Sequence, residues 1–530
     1  MTSGKLFEGV PLIPPVPEGF GDADIRTVCS DSRRAGPGSL FVCLKGTRRD
    51  GHKWAADAVK AGASYVLGEV PAEGVPPEKM LLTPDTRRAE SLLWNNLTGH
   101  PADGMLKIAV TGTAGKTTVT LLLSEILRAA GRKTGVITTV RCAAGDSPCD
   151  MGGNGGSSVS DIPGAMTTPD PEYFFGAVRS MREAGCDTLL YEASSQSLAL
   201  EKTAAIVPDI AVFTNLLPEH LDFHRTMEDY FHAKASLLDG VKRAVINGDD
   251  RWLPKLPGMF PETEFTVCQT ALTGERRERD GVRKSTVTAR RIRSLGVDGM
   301  EYLYFSTRAV FRVRTEMPGR YSVTNTMLAS AAALLTGADP AVVRDAVAGF
   351  RGADGRMLRV KAPDRGHRKD GDVFCPAVFI DYAHTPDAME AAISAVREFS
   401  SGRLTVVFGC GGERDRSKRP RMAECAERLA DEVVITSDNP RGEDPDAIFR
   451  DILSGVKGTK PVAVIPDRAR AVRYAVGAAP ADGTVLLLGK GHEKYEITAE
   501  GMRPFDEEAV AADALLAYRE RAADRENGKA

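Results

Sequence analysis

The residues with the most specific chemical pattern form a glycine-rich segment, TGTAGKTT, at positions 111–118. Glycines let backbone N–H groups turn inward around phosphate oxygens, and the N-terminus of a following helix adds positive potential. Lys116 can then reach the β- and γ-phosphates, and the hydroxyl of Thr117 can ligate Mg²⁺. The spacing departs from GxxxxGK[ST], because the first glycine is Gly112. The segment therefore predicts ATP or GTP binding without distinguishing them, and a tight turn with a chance GKT is the less favoured alternative.

Further polar residues follow apolar runs in the same part of the chain. Glu192 stands in LLYEASSQS, Asn215 and His220 stand in AVFTNLLPEHLDFH, and Lys234 stands in the helical pattern DYFHAKASLL. A carboxylate at a strand end beside a phosphate loop is a natural Mg²⁺ ligand, because that ion prefers hard oxygen ligands. On chemistry alone, a core or capping role is favoured for His220 and a surface position for Lys234.

These residues must be positioned by alternating strands and helices. Apolar residues at 119, 122, 123, 126 and 127 predict a helix over 117–130, with Gly131 as its C-terminal cap. The predicted strands are 108–111, 189–192, 210–214, 378–381, 404–408, 433–436 and 485–488. Such alternation predicts α/β layers with parallel sheets, whose chemistry collects at the carboxyl ends of the strands.

Two turn-rich segments predict domain boundaries. Residues 96–105 (NLTGHPADGM) and 351–356 (RGADGR) divide the chain into predicted domains 1–103, 104–352 and 353–530. The Gly- and Ser-rich residues 141–164 are expected to form a mobile loop. The basic residues of 275–293 alternate with other types, so a solvated strand pair is favoured there over a nucleic-acid patch.

Composition excludes several classes of protein. The 530 residues carry 69 Lys and Arg against 72 Asp and Glu, a net charge of −3, which argues against binding nucleic acid through bulk charge. No apolar run approaches the length of a membrane span, and the first residues do not resemble a signal peptide. Nine scattered cysteines without a CxxC pair predict reduced thiols in a cytoplasmic enzyme.

Many motifs then occur in a recognisable order. TGTAGKTT, EASSQS, FTNLLPEHLDFH, YFHAKASLL, PGRYSVTN (318–325), DYAHTPD (381–387), FGCGGERDRSKRP (408–420), SDNPRGEDP (437–445) and LGKGHEKYE (488–496) together resemble the Mur ligases, as does the N-terminal segment 29–63. The resemblance covers nearly the whole chain. It implies three α/β domains: an N-terminal Rossmann-like domain for the UDP end of the substrate, a central P-loop-type ATPase domain, and a C-terminal Rossmann-like domain for the incoming amino acid.

The resemblance also implies roles for individual residues. ATP contacts are expected from Gly112, Thr113, Ala114, Gly115, Lys116, Thr117, Thr118, Asn325 and Arg356. Mg²⁺ ligands are expected at Thr117, Glu192 and His220, and catalytic roles at Lys116, Lys234, His220 and His384. Lys234 matches a lysine that carries CO₂ as a carbamate (N6-carboxylysine), which requires a neutral amine and hence a lowered pKa. Contacts to the UDP-linked substrate are expected from Ser30, Ser32, Thr47, Arg48, Arg49, Thr167, Thr168, Ser194 and Lys202.

The amino-acid pocket implied by the resemblance suits meso-diaminopimelate. Its expected residues are Arg414, Asp438, Asn439, Pro440, Arg441, Gly489 and Glu493. Arg414 and Arg441 can grip the distal carboxylate through charge-assisted bonds, and Glu493 can pair with the ammonium group. A lysine substrate lacks that carboxylate and would leave a buried arginine unpaired. A mere Pro-containing turn is the less favoured explanation of DNPR.

The activity that the resemblance implies is the ATP-dependent addition of meso-diaminopimelate to a UDP-linked N-acetylmuramoyl dipeptide through an acyl phosphate. This reaction belongs to peptidoglycan precursor synthesis. The protein is expected to be a monomer without membrane or nucleic-acid partners. A lysine-adding or relaxed-specificity ligase is the nearest alternative. An inactive nucleotide-binding relative is a second, because Ala114 and Gln196 stand where the family usually has Asn and His, and Lys202 where it often has Arg. Folylpolyglutamate synthetase is disfavoured by the N-terminal domain and by DNPR.

Overall fold

A computed structural model describes residues 1–46, 50–149, 167–270, 284–363 and 375–526. The chain divides into two compact units. The first comprises Met1–Thr288, Ser306–Ala309 and Met327–Val343, and the second comprises Ala289–Phe305, Val310–Thr326 and Arg344–Ala530. Three predicted substrate contacts, Thr47, Arg48 and Arg49, lie outside the described residues, as do parts of the segments 141–164 and 275–293. The domain boundaries after residues 103 and 352 stay predictions.

The first unit begins with a small parallel sheet in the order β1-β2-β3-β4. Its elements are α1 (Ser3–Leu6), β1 (Thr27–Cys29), β2 (Ser39–Val42), α2 (Ala55–Lys60), β3 (Tyr65–Gly68), β4 (Met80–Leu82) and α3 (Thr86–Leu97). The side chain of Asp85 caps α3 by accepting from the backbone N–H groups of Arg87 and Arg88.

A larger sheet follows in the first unit, in the order β12-β11-β10-β5-β9-β6-β7-β8. Its elements are β5 (Leu106–Thr111), α4 (Lys116–Ala129), β6 (Thr134–Ile137), β7 (Cys142–Ala144), β8 (Ser147–Pro148), α5 (Pro171–Glu183), β9 (Thr188–Glu192), α6 (Ser195–Ala199), β10 (Ile210–Phe213), α7 (Leu221–His224), α8 (Met227–Ala235), β11 (Arg243–Asn247), α9 (Leu256–Met259) and β12 (Glu264–Thr270). The strands from β12 to β6 are parallel, and their apolar runs are buried, as expected for strands covered on both faces. β7 and β8 form an antiparallel pair, so the prediction of a loop from residue 141 is wrong there.

The next elements lead from one unit to the other along the chain. They are β13 (Lys284–Ser294), β14 (Met300–Phe305), β15 (Val310–Thr315), α10 (Arg320–Leu335) and α11 (Pro340–Gly349). β14 and β15 form an antiparallel hairpin in the second unit. β13 confirms strand structure in the described part of the basic segment 275–293.

The second unit contains a six-stranded sheet in the order β16-β17-β21-β18-β19-β20, parallel except for the edge strand β16. Its elements are β16 (Leu358–Val360), β17 (Ala377–Asp381), α12 (Pro386–Phe399), β18 (Leu404–Phe408), α13 (Lys418–Leu429), β19 (Glu432–Ile435), α14 (Pro445–Leu453), β20 (Val462–Val464), α15 (Arg468–Ala478), β21 (Thr484–Leu488), β22 (Tyr495–Thr498), β23 (Gly501–Pro504) and α16 (Glu507–Glu526). Apolar clusters on both faces bury the sheet.

All seven predicted strands are confirmed to within two residues at each end. The helix predicted after the glycine-rich segment is α4, and Gly131 follows it with a φ of 87°. The nine cysteines are free thiols, eight of them buried. Within the described ranges, no helix is both long enough and apolar enough to cross a membrane.

Candidate active site

The glycine-rich loop of the first unit lies at the carboxyl end of β5, directly before α4. Gly112 and Gly115 have φ values of 141° and 85°, which glycine adopts without strain. A Cβ at Gly112 would overlap the hydroxyl group of Thr214, so this position requires the absence of a side chain. The Nζ of Lys116 donates to the carbonyl oxygens of Gly112 and Thr113, both at 2.9 Å. The lysine therefore lies against the loop whose geometry suits a phosphate chain.

The segment after β10 fixes the shape of this loop. The backbone N–H of Ala114 donates to Oδ1 of Asn215 at 2.9 Å, and Nδ2 of Asn215 donates to the carbonyl oxygen of Ala114 at 3.0 Å. The backbone N–H of Thr113 donates to the carbonyl oxygen of Asn215 at 2.9 Å. The side chain of Asn215 thus binds both the N–H and the carbonyl oxygen of one loop residue. The sequence predicted that Asn215 follows a strand, but nothing in the sequence indicated its hydrogen bonds to the glycine-rich loop.

Lys234 is a buried amine beside the same loop, and its side chain in α8 is 1% exposed. Its Nζ donates to the carbonyl oxygen of Gly112 at 2.7 Å and lies 4.8 Å from the ring centroid of Tyr230. Burial holds the pKa of Lys234 well below its ordinary value, and the charge of Lys116 lowers it further. The surface position favoured by chemistry alone is wrong for Lys234.

Glu192 ends β9 on the strand next to β5, in register with Val110. Its carboxylate is fully buried, and it accepts hydrogen bonds from the backbone N–H of Thr139 at 3.1 Å and from the hydroxyl of Thr139 at 3.2 Å. Thr117 lies in the first turn of α4 and is also buried. Both residues offer oxygen atoms of the kind that Mg²⁺ prefers.

The two histidines of this region differ in their surroundings. His220 precedes α7 with a φ of 56°, and its Nε2 lies 3.7 Å from a carboxylate oxygen of Glu219. Its side chain is 44% exposed, so the core position is wrong. The capping alternative holds for its position only, because His220 is the N-cap residue of α7 but its side chain makes no capping hydrogen bond. His224 is the buried one: its Nε2 lies 2.9 Å from the hydroxyl of Ser195, and burial lowers its pKa. Across the described ranges, no group of three or more His, Cys, Asp or Glu side chains is arranged to hold a metal ion.

Several predicted substrate contacts converge next to Glu192. The hydroxyl of Thr168 donates to the carbonyl oxygen of Glu192 at 2.8 Å and accepts from the backbone N–H of Ser194 at 3.1 Å. The Nζ of Lys202 lies 2.7 Å from Oδ1 of Asp170 and 3.4 Å from the carbonyl oxygen of Thr168. Thr168, Ser194 and Lys202 are therefore brought together, and the half-buried Thr167 precedes them.

Ser30 and Ser32 lie in the N-terminal part of the first unit, and Ser30 is exposed. Ser30 hydrogen-bonds the buried carboxyl group of Glu90 in α3. Burial raises the pKa of Glu90 to about 7, and the charge of Asp170 contributes. The sequence did not single out Glu90, and only its position among apolar residues of an amphipathic helix could have suggested burial.

The second unit gathers the predicted amino-acid pocket at the carboxyl ends of β18, β19 and β21. Within this pocket, the side chain of Asn439 makes hydrogen bonds to three other residues. Its Nδ2 donates to Oε2 of Glu493 at 2.8 Å, and its Oδ1 accepts from Nζ of Lys490 at 2.7 Å and from the backbone N–H of Ile497 at 3.0 Å. Gly489 has a φ of 108°, and a Cβ there would lie 3.1 Å from Oδ2 of Asp438. The DNPR and GKGHE motifs therefore form one structure.

Lys490 is a buried charged residue of this pocket that the sequence did not single out. Its side chain is fully buried, with Nζ 3.5 Å from Asp438 and 3.8 Å from Glu493. Burial lowers the pKa of Lys490, and the charge of Asp438 opposes that shift. Burial also raises the pKa of Glu493, and so does the neighbouring Asp438. The ammonium group of Lys490 therefore offsets negative charge in the pocket.

Arg441 and Arg414 flank Gly411. A Cβ built on Gly411 would lie 2.9 Å from Nη1 of Arg441 and 3.8 Å from Cγ of Arg414. Nη1 of Arg441 donates to the carbonyl oxygens of Gly412 at 3.0 Å and of Asn439 at 3.3 Å. Pro440 lies between Asn439 and Arg441, and a Cβ at Gly412 would overlap its carbonyl oxygen. The guanidinium group of Arg441 and the aliphatic stem of Arg414 therefore both lie beside Gly411.

Arg356 and His384 form a separate group at the end of β17. The guanidinium of Arg356 lies 5.2 Å from the ring centroid of Tyr382, and the ring of His384 packs against the same tyrosine at 4.7 Å. Nδ1 of His384 lies 2.9 Å from the carbonyl oxygen of Tyr382. Burial lowers the pKa of His384, so its neutral form is favoured. Asn325, predicted on the ATP side, is a buried residue of α10.

The fold and these sites define an α/β enzyme with a phosphate loop in one unit and an ionic pocket at the carboxyl edge of another sheet. Three stretches match family descriptions: residues 24–92 match "Mur ligase family, catalytic domain", residues 110–333 match "Mur ligase middle domain", and residues 365–491 match "Mur ligase, glutamate ligase domain".

Full-length relatives give the same result. The chain is 36% identical to the UDP-N-acetylmuramoyl-L-alanyl-D-glutamate–2,6-diaminopimelate ligase of Syntrophomonas wolfei, over 93% of this chain and 95% of that protein. It is 37% identical to the protein of the same name in Geobacillus thermodenitrificans, over 93% of this chain and 96% of that protein. A solved structure of a ligase with this name superposes with a TM-score of 0.64 at 28% identity, covering 98% of this chain and 99% of that one.

The chain belongs to the Mur ligase family and has its three-domain α/β architecture. The resemblance inferred from the ordered motifs is confirmed, and so is the predicted fold class.

Proposed function

We propose that this protein is an ATP-dependent ligase that joins meso-diaminopimelate to the D-glutamyl carboxylate of UDP-N-acetylmuramoyl-L-alanyl-D-glutamate. The observation that carries the proposal is the pocket of the second unit, where Arg414 and Arg441 flank Gly411 and Glu493 is bonded to Asn439. The names of the similar ligases support the same substrates. The reaction belongs to cytoplasmic synthesis of peptidoglycan precursors.

The pocket matches the charges at the distal end of meso-diaminopimelate. The guanidinium groups of Arg414 and Arg441 bind the distal carboxylate through charge-assisted hydrogen bonds. Glu493, with Asp438 beside it, binds the distal ammonium group. Lysine has the ammonium group but not the carboxylate, so it leaves the arginines without their anion and binds more weakly. Asn439 and Gly489 shape the pocket through the contacts described above.

ATP is assigned to the phosphate loop of the first unit. The backbone N–H groups of residues 112–118 and the ammonium group of Lys116 neutralise the phosphate oxygens and the charge that develops during phosphoryl transfer. Nucleotide binding replaces the two carbonyl contacts that Lys116 makes in the loop. Asn325, Arg356 and His384 are assigned to the adenine and phosphate sides of the nucleotide.

The residues present also fit Mg²⁺. Glu192 is a buried carboxylate whose observed partners are the N–H and hydroxyl groups of Thr139, and Thr117 adds a hydroxyl oxygen. Mg²⁺ is commonly held by one or two carboxylates together with substrate phosphates, so a full cage of protein ligands is not required. Thr117, Glu192 and His220 are the residues that would hold it. When bound, the ion neutralises charge on the transferring phosphoryl group.

Lys234 is proposed to be carboxylated. Its buried amine has a lowered pKa, so the neutral form needed to react with CO₂ is favoured. The nitrogen attacks CO₂, a C–N bond forms, and a proton is released, which leaves a carbamate anion. That anion would lie near Lys116, whose positive charge now disfavours a protonated Lys234.

The substrate carboxylate is held by the first unit. Thr168, Ser194 and Lys202 lie next to Glu192 and are assigned, with Thr167, to the peptide end of the substrate. Ser30, Ser32, Thr47, Arg48 and Arg49 are assigned to its uridine end. The carboxylate oxygen takes the γ-phosphoryl group and ADP leaves. The amine of meso-diaminopimelate then attacks the acyl phosphate, and phosphate departs with formation of the amide.

Phosphate release tests the proposal. With ATP, Mg²⁺ and the UDP-linked dipeptide, we expect release that depends on meso-diaminopimelate and that lysine supports poorly. Lysine outcompeting meso-diaminopimelate would contradict the pocket assignment, and no release with any amino acid would identify an inactive relative. With ¹⁸O in the D-glutamyl carboxylate, one label should appear in the released phosphate, and its absence would remove the acyl-phosphate step.

A further inference from the structure

A buried ionic cluster lies beside the amino-acid pocket and is centred on Arg419, in the first turn of α13. The side chain of Arg419 is 0% exposed. Nη1 donates to Oε1 of Glu443 at 2.7 Å and to Oδ2 of Asp451 at 2.8 Å. Nη2 donates to Oε2 of Glu443 at 2.7 Å and to the carbonyl oxygen of Gly411 at 3.1 Å. This fork holds the pKa of Glu443 at about 2, so the pair is ionised at neutral pH.

The cluster joins the two loops that carry the arginines of the pocket. The loop after β18 contains Gly411 and Arg414, and the loop after β19 contains Arg441 and Glu443. Arg419 bonds the first loop at Gly411 and the second at Glu443. Oε2 of Glu443 also accepts from the backbone N–H of Glu413 at 2.9 Å, so the glutamate contacts both loops as well.

The two pocket arginines depend on these loops for their placement. The observed side-chain bond of Arg414 is to the carbonyl oxygen of its neighbour Glu413 at 3.3 Å, and those of Arg441 are to loop carbonyl groups. Backbone position therefore decides where each guanidinium group lies. A guanidinium fork fixes both oxygens of a carboxylate in one plane, which a lysine ammonium group cannot do.

We propose that Arg419 and Glu443 are a positioning pair that sets the spacing of Arg414 and Arg441 and thereby the selectivity for an amino acid with a distal carboxylate. The inference rests on the proposed function. Arg419 acts through the loops and does not touch the substrate. A carboxylate bound by two arginines is sensitive to their separation, and a misplacement of about 1 Å can change a rate by about a hundredfold.

Arg419→Lys tests the pair, because lysine keeps the charge but cannot span Glu443, Asp451 and Gly411 together. We expect the KM for meso-diaminopimelate to rise by about 10- to 100-fold, as for a displaced binding group. The KM values for ATP and for the UDP-linked dipeptide should not change, and the preference for meso-diaminopimelate over lysine should fall by the same factor. Arg416→Lys is the matched control: Arg416 also pairs with Asp451, at 3.0 Å, but its side chain is 63% exposed. It should retain all three KM values.

The double variant Arg419→Met/Glu443→Leu distinguishes a positioning role of this pair from a purely structural one. Replacing a buried ion pair by apolar side chains commonly preserves stability, whereas removing one partner alone does not. We expect the double variant to melt near the wild-type temperature while its KM for meso-diaminopimelate stays raised.

Three results would overturn the inference: a wild-type KM in Arg419→Lys, a KM that recovers together with stability in the double variant, or an equal rise for all three substrates. Failure of the proposed function would be seen earlier, as a wild-type protein without phosphate release that depends on meso-diaminopimelate.

Discussion

Asn215 offers the sharpest test of how the phosphate loop is held. Asn215→Ala removes the two side-chain bonds to the backbone N–H and carbonyl oxygen of Ala114, at 2.9 and 3.0 Å. A neutral hydrogen bond contributes about 0.5–1.5 kcal/mol, and these are partly exposed, so the pair contributes about 1–2 kcal/mol to loop order. Because ATP must then order the loop itself, we expect its KM to rise by about 5- to 30-fold.

Asn215→Asp separates hydrogen bonding from charge. Aspartate keeps the acceptor for the Ala114 N–H but loses the donor to the Ala114 carbonyl oxygen, and it adds a negative charge beside the phosphate site. At an effective dielectric constant of about 20, two unit charges about 4 Å apart interact by about 4 kcal/mol, and this repulsion falls in inverse proportion to their separation. The KM for ATP should therefore be higher in Asn215→Asp than in Asn215→Ala, although the aspartate retains more of the hydrogen bonding.

The assay is phosphate release as a function of ATP concentration, together with the melting temperature of each variant. Asn95→Ala is a suitable control, because the amide of Asn95 contacts His100 at 3.0 Å and not the loop. The reasoning is refuted if Asn215→Ala has the wild-type KM for ATP, or if Asn215→Asp binds ATP better than Asn215→Ala.

Three further predictions concern ionisable groups. Glu90 has a folded pKa of about 7, above its ordinary value of 4.5, so the folded state binds the extra proton and the free energy of unfolding falls by about 3 kcal/mol as pH rises from 4.5 to above 7. Glu90→Gln should remove this fall in melts across that range, and an unchanged pH profile would contradict the assignment. Lys234 has a lowered pKa, so the unfolded state binds the extra proton and stability rises with pH toward the ordinary lysine value. Lys234→Met should abolish both the rise in stability with pH and the ligase activity, and an active variant would contradict the proposed carbamate. Arg441→Lys should lower kcat/KM for meso-diaminopimelate by about 10- to 100-fold through loss of one charge-assisted bond, with little change for lysine as substrate; equal losses for both amino acids would count against distal-carboxylate binding.

The sequence predicted those parts of the site that short segments determine. The strand before Gly112, the helix beginning at Lys116 and the turn at Asp438 follow from local patterns, and parallel sheets bring such turns to one edge. The contacts that support them join residues far apart in sequence. Asn215 and Ala114 are 101 positions apart, and Lys490 and Asn439 are 51 apart. Spacing along the chain carries no information about such pairs.

The sequence also did not predict which charged side chains are buried. Lys234 in DYFHAKASLL has the composition of a surface position, yet its amine is enclosed and its pKa is lowered. Arg419 stands among charged residues in RDRSKRPRM and is fully buried. In both cases the partner is a distant carbonyl or carboxylate group, so the environment of the side chain is set by tertiary packing rather than by its neighbours in sequence.

The division of the chain has a consequence for dissecting the protein. The polypeptide passes between the two units after Thr288, Phe305, Ala309, Thr326 and Val343, so neither unit is one continuous segment. A truncation at any of these points leaves one unit incomplete, and a fragment ending at Thr288 lacks two pieces of the first unit. Native pairing of such separated segments raises contact order and slows folding. Limited proteolysis between residues 288 and 343 should therefore abolish activity and leave both units incomplete, instead of releasing a stable fragment.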